Sequence, residues 1–210
     1  PQSVLERLGA KFHPVQRRFV APHADTIRRA LAAVDAAALD EVVGGWLLRQ
    51  VSAGRLAHDQ LVVALDGKSM RGALREDGRA VHLFAAMVHG EGIVVGQHEV
   101  DAKSNEITAF KPLLEGLDLQ GALVTADAMH TQREHARFVV EVKQADYLFQ
   151  VKDNQPGLLA ACRAIDDEAF SAAATDTCRG HGRIETREVR VADVPEGLDF
   201  PHATQVIVVY

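Results

Sequence analysis

Residues 61–72 read LVVALDGKSMRG and residues 121–132 read GALVTADAMHTQ. In each, a short apolar run stops at an aspartate, Asp66 in the first and Asp127 in the second. Leu61 to Leu65 and Ala122 to Ala126 are too short and too uniformly apolar for amphipathic helices. They read as buried strands covered on both faces. An aspartate ending such a strand packs poorly. If the two strands lie side by side and parallel, both acids emerge at one sheet edge, where ligands of α/β folds collect. Two carboxylates at one edge are the arrangement a divalent-metal site for two-metal phosphoryl transfer requires.

Working outward, the chain after residue 61 alternates between strands and helices. A polar stretch around Asp77-Gly78 leads to His82–Val88, a Gly90-Glu91-Gly92 turn and Ile93–Gln97, a hairpin added to the first strand. Ile107, Phe110, Leu113, Leu114 and Leu117 mark a helix interrupted by Pro112, with Asn105 placed to cap it. The second aspartate strand follows. A long helix from about Thr131 carries Phe138, Val139 and Val142 on one face. Tyr147–Val151 is the fifth strand, and Asn154-Gln155-Pro156 opens a last helix ending near Ile165. The order β-β-β-α-β-α-β-α gives an α/β fold with a mixed five-stranded sheet flanked by helices. Right-handed crossovers place the fourth strand beside the first, a ribonuclease H-like topology that makes Asp66 and Asp127 neighbours.

The flanks differ from this core. Before it, Asp25 and Asp35 are placed to cap two helices, the first presenting Ile27, Leu31 and Val34. The second carries Leu39, Val42, Val43, Trp46 and Leu47 as a buried stripe. Beyond Asp176 the chain is Gly-rich and then alternates through Thr186, Glu188, Val189, Arg190 and Val191 before VIVVY at 206–210. The resulting division is 1–57 helical, 58–170 core and 171–210 a partial β insertion.

Composition sets limits. The 210 residues, 47% apolar, suffice for one good core. No apolar run reaches bilayer length and the first residues lack the order of a secretory signal, so a cytoplasmic protein without membrane partners is expected. Cys162 and Cys178 form no C-x-x-C pair, and the ten histidines show no repeated ligand spacing. The net charge of −6 is not that of a simple nucleic-acid-binding domain. It hides an asymmetry: residues 1–75 hold 11 Lys/Arg against 7 Asp/Glu, residues 76–210 hold 12 against 22. The basic end could meet phosphate or merely solvate helix surfaces.

Five segments together resemble DDE transposases of the ISAs1 type, related to the H-repeat-associated proteins and more distantly to IS4-like enzymes. They are ALDGKSMRG (64–72), VDAKSNEITAF (100–110), LVTADAMHTQ (123–132), YLFQVKDNQP (147–156) and HGRIETREV (181–189). The resemblance implies that Asp66 and Asp127 are the first two acids of a catalytic triad holding two Mg2+ ions, with Mn2+ able to substitute. It also implies DNA, as transposon ends and target, for a partner, and homo-oligomerisation is compatible with it. Lys68 and Arg71 after the first acid, and Lys152, Asn154 and Gln155 after the fifth strand, are placed to contact DNA phosphates, with loop solvation as the alternative. The family's third acid lies in a motif like H-W-x-I-E-N-x-L-H-W, absent from this sequence. Glu185 in HGRIETR is the one substitute, in a stretch matching a strand of the family's inserted region. The expectation is an incomplete, inactive transposase, the alternative a catalytically silent DNA-binding remnant. An unrelated metal-dependent nuclease or phosphatase is a third reading, disfavoured by the absence of a D-x-D pair at Asp66.

Overall fold

A computed structural model of the chain describes residues 2–51, 53, 60–75, 77–100, 105–180 and 183–210. The side chains of Arg71 and Glu185, and all of Lys103 and His181, lie outside what is described. The described chain forms two compact units, residues 1–39 and residues 40–210.

The first unit is not purely helical, as the sequence reading had it. Helix α1 (Gln2–Arg7) precedes an antiparallel hairpin of β1 (Lys11–His13) and β2 (Arg18–Val20), and α2 (Ala24–Ala33) follows. The Gln2 side chain donates to the Phe19 carbonyl at 3.1 Å and accepts the Phe19 amide at 2.7 Å, so it serves as a further strand residue on β2. Phe12 and Phe19 meet edge to face, with ring centroids 5.4 Å apart. The cap of α2 is His23, whose Nδ1 accepts the Asp25 amide, and not Asp25 itself. Asp35 does cap α3 (Ala36–Gln50), accepting the Ala37 and Ala38 amides through Oδ1.

In the second unit α3 corrects another expectation. Val42 and Trp46 are 68% and 54% exposed, while Gly44 and Leu48 are buried. The reason is close approach. Strand β5 (Ile93–Glu99) is the outer edge of the sheet, and a Cβ at Gly44 would overlap the Val95 carbonyl oxygen. Asp40 Oδ2 accepts the Gln97 amide at 2.9 Å, so α3 also occupies one hydrogen-bonding position of an edge that would otherwise be open to pairing. Gly44→Ala is expected to force α3 off β5 and cost about 1–3 kcal/mol, read from denaturant midpoints. An unchanged midpoint would show that this contact is not tight.

The main sheet has the order β5-β4-β3-β6-β7. Its other strands are β3 (Val62–Leu74), β4 (Ala80–Val88), β6 (Leu123–Ala126) and β7 (Asp146–Phe149). β3, β4 and β5 pair antiparallel, whereas β6 runs parallel to β3, and β7 parallel to β6. These directions and this order are those of a ribonuclease H-like sheet. Helix α4 (Glu106–Glu115), capped by Asn105 and containing Pro112, connects β5 to β6; α5 (Arg133–Arg137) connects β6 to β7; α6 (Pro156–Arg163) follows β7. The helix after β6 ends in a wide turn, Phe138–Val142, in which the Lys143 amide reaches back to the Phe138 carbonyl. That widening turns Val142 to solvent at 63% exposure while Val139 stays buried.

The strands are not covered on both faces. Val63, Leu65, Phe84, Ala86, Val88, Val124 and Phe149 are buried and share one face through their cross-strand pairings. Alternate positions, Val62, Ala64, Met87 and Thr125, are only partly buried, and Leu148 is 44% exposed. A uniformly apolar run cannot reveal this. Period-two alternation fixes which face a residue joins, but not whether anything lies over it.

After α6 a separate antiparallel sheet has the order β10-β9-β8, from β8 (Ser171–Gly180), β9 (Arg183–Asp193) and β10 (Gln205–Val209). The segment joining β9 to β10 returns to the core. Tyr147 Oη donates to the Pro201 carbonyl at 2.7 Å, and Arg133 binds both the Asp199 carboxylate and its carbonyl.

Candidate active site at the β3–β6 rim

The parallel ladder between β3 and β6 runs from Val62↔Leu123 to Leu65↔Ala126 and stops there. Asp66 and Asp127 are the next residue on each strand. β3 itself continues to Leu74 against β4, so Asp66 sits within a strand and at the end of one ladder only. Alternation sends Asp66 and Lys68 to the more open face, opposite Val63 and Leu65. Lys68 Nζ lies 3.9 Å from Asp66 Oδ2, with both side chains exposed. Asp127 keeps an extended backbone (φ −73°, ψ 178°), and its Oδ1 accepts the Met129 amide at 3.1 Å, capping the 3-10 turn Ala128–His130.

Two sets of contacts hold that turn. From the β7 side, Asn154 Nδ2 donates to the Ala128 carbonyl at 2.6 Å and Gln155 Nε2 to the Thr131 carbonyl at 2.8 Å. Thr131 Oγ1 donates to the Gln150 carbonyl at 2.5 Å. Asn154 and Gln155 therefore spend amide donors on the protein's own backbone. Of the side chains proposed to meet phosphate beyond β7, Lys152 is exposed beside them.

From the other side comes a group to which the sequence alone assigns no role. Glu106, at the start of α4, has Oε1 2.7 Å from His82 Nε2 and Oε2 3.4 Å from His130 Nε2. His82 Nδ1 in turn meets Ser69 Oγ at 3.1 Å. His130 is 1% exposed, stacks on Phe84 at 4.8 Å, and its Nδ1 has no hydrogen-bond partner. Burial lowers its pKa, an effect the Glu106 hydrogen bond only partly offsets. The neutral ring places its proton on Nε2, toward Glu106. Its segment, VDAKSNEITAF, carries part of the family resemblance, but nothing local shows what Glu106 touches, since each partner lies 24 residues away in the chain.

Below His130, His135 stacks on Phe110 with centroids 3.9 Å apart. Its Nδ1 and Nε2 both lie 3.2 Å from carbonyl oxygens, of His130 and Ile107. Two acceptors would favour the imidazolium, but the ring is 3% exposed and burial dominates, pushing its pKa down to about 4. The neutral ring can donate to only one of them. A histidine depressed from 6.5 in the unfolded chain leaves stability intact above pH 6.5. Below that pH the unfolded state binds a proton that the folded state refuses, so stability is lost as the pH falls toward 4. From His135 alone we expect a loss of about 3 kcal/mol across that window. Urea titrations at several pH values would show it, and His135→Phe should flatten the slope; an unchanged slope in that variant would assign the effect elsewhere.

Among the described residues no three His, Cys, Asp or Glu side chains form a cluster suited to a metal ion. The rim offers two carboxylates, exposed and fed by adjacent strands. Comparison with known proteins shows the family. Residues 57–195 match the model described as Transposase DDE domain. The chain belongs to the DDE transposase family. It is 36% identical over 193 residues to "Putative transposase YncI" of Escherichia coli O157:H7, covering 85% of this chain and 47% of that protein. It is 35% identical over 188 residues to "H repeat-associated putative transposase YbfD" of Escherichia coli (strain K12), covering 85% and 72%. With "H repeat-associated putative transposase YhhI" of the same strain it shares 34% identity over 188 residues, covering 85% and 48%. The chain thus spans about half the length of several relatives it matches. Among the described residues no helix is long and apolar enough to cross a membrane.

Proposed function

We propose that this chain carries the catalytic core of an ISAs1-type DDE transposase, with residues 1–57 as an accessory segment of helices and a short hairpin and 171–210 as part of an inserted β region. DNA, as transposon ends and target, is the partner, and the site of action is cytoplasmic. The observation that carries the reading is the parallel register, which sets Asp66 and Asp127 one step past the same rung. Carboxylate oxygens are the hard donors Mg2+ prefers, and a site of one or two carboxylates completed by water suits it. Asp66 and Asp127, both exposed, fit such an ion, with Mn2+ as substitute. When bound, the ions supply activation of a water or 3′-hydroxyl and stabilisation of the leaving oxygen in DNA strand cleavage and transfer. The protein's own part is to hold both carboxylates on one rim and to meet the DNA backbone with Lys68, Arg71 and Lys152. Asn154 and Gln155 keep the Asp127 turn in place, within reach of the same backbone.

A second reading, a catalytically silent DNA-binding remnant, draws on the basic balance of residues 1–75, which hold 11 Lys/Arg against 7 Asp/Glu. Incubation with supercoiled DNA and Mn2+ separates the two. Nicking that a chelator abolishes supports the enzyme. Salt-sensitive DNA binding without nicking supports the remnant, and neither binding nor nicking would sink both.

A further inference from the structure

We propose that Glu106 is a positioning residue that fixes the spacing of Asp66 and Asp127 by tying together, from the covered face of the sheet, the two chain segments that carry them. The inference rests on the reading of those aspartates as a cation site. Gly67 alternates with Asp66 and faces the covered side, where a Cβ would overlap Glu106 Oε1. The Glu106 carboxylate therefore lies against the backbone immediately beyond the first aspartate. Its side chain is only 15% exposed, and it approaches from the face opposite the one into which Asp66 projects. It cannot be a third acid of the open face.

What Glu106 joins is specific. Through Oε1 it holds His82, on β4, which pairs with Ser69 of β3 both in register and through Ser69 Oγ. Through Oε2 it holds His130, the last residue of the turn that Asp127 caps. A single carboxylate thus links residues 67–69 of the first aspartate strand to residues 127–130 of the second. The parallel ladder has already ended at Leu65 and Ala126, so backbone pairing no longer fixes the separation of the two strands at this point. The side-chain tie takes over there. Groups that orient metal ligands in this way influence affinity without touching the ion.

The test is Mn2+ binding to the full chain, followed by electron paramagnetic resonance of free Mn2+, with a melting curve for every variant. Asp66→Asn and Asp127→Asn should each abolish tight binding. If they bind as the unaltered protein does, the cation-site reading fails and takes this proposal with it. If they lose binding, Glu106→Ala should weaken Mn2+ about tenfold or more. Glu106→Gln should restore affinity to within about threefold, because the amide keeps an acceptor for His82 and the free Nδ1 of His130 lets that ring shift its proton and accept. A residue that only packs would lower the melting temperature of Glu106→Ala and leave Mn2+ affinity unmoved, and that result would overturn the proposal. Gly67→Ala gives an independent reading. It should weaken Mn2+ binding in the unaltered protein but add little to Glu106→Ala, whereas equal effects in both backgrounds would overturn the tie. Should Glu106→Ala not fold, His82→Ala removes one of the two links, and an affinity equal to that of the unaltered protein would overturn the proposal as well.

Discussion

Phe110→Ala is expected to lower the free energy of unfolding by about 3–5 kcal/mol and, for a chain of this size, the melting temperature by roughly 6–20 °C. Phe110 is fully buried on α4 and is the hub of the ring contacts beneath the rim. It stacks on His135 at 3.9 Å, tilts against His130 at 5.4 Å and meets the edge of Phe149 at 6.2 Å. Deleting the ring forfeits its transfer free energy and leaves a void that α4 cannot close without moving Glu106, four positions back on the same helix. The void would also be lined by two imidazoles kept neutral by burial, one with an unpartnered Nδ1. Water entering there would make protonation easier. The variant should therefore lose part of the fall in stability between pH 6.5 and 4 as well as its absolute stability. A drop of less than about 2 °C would mean that the α4 face is not the centre of the core.

How much of this was legible in the sequence depended on the range of the interaction. The five strands, their order and the placing of Asp66 and Asp127 one step past the same rung followed from apolar runs, a glycine turn and crossover handedness, all of which act over a few residues or by general rule. The burial of α3 did not. Its apolar positions at Leu39, Val42, Val43 and Trp46 spell a helical stripe, yet the helix is seated by Gly44 against the Val95 carbonyl. Backbone proximity selects the smallest residue and is invisible to hydrophobic periodicity. The β1–β2 hairpin was missed for a related reason. Three-residue strands give too short an alternation to register, and the reversal uses Arg17 at φ +48°, where glycine or asparagine would have signalled a turn. Glu106 shares a motif with Asn105 but gains no role from the sequence, because Asn105 has an adequate local task as a helix cap, which it performs by accepting the Thr108 amide. Asn154 and Gln155 illustrate the converse. Polar residues after a strand end suggested an outward role, and the fold turns their amides inward onto the Asp127 turn.

If the unaltered chain nicks supercoiled DNA with Mn2+, replacing either rim aspartate by asparagine should reduce that nicking by at least about two orders of magnitude, the consequence of losing several kcal/mol of transition-state stabilisation. The choice of asparagine matters because the two positions differ structurally. Asp66 is exposed, with Lys68 Nζ at 3.9 Å as its ion-pair partner, so its substitution should change stability by no more than about 0.5 kcal/mol. Asp127 caps the turn to Met129, and alanine there would remove the cap at a cost of about 1 kcal/mol. Asparagine keeps the accepting oxygen and removes only the charge. Asp127→Asn should thus melt with the unaltered protein while Asp127→Ala melts lower, and both should lose nicking equally. DNA binding should move the other way. Each substitution removes a negative charge from the surface proposed to meet phosphate, so affinity should hold or rise, with the same dependence on salt. Nicking that survives in both asparagine variants would place the chemistry away from this rim. Nicking lost only in step with melting temperature would make the aspartates structural residues.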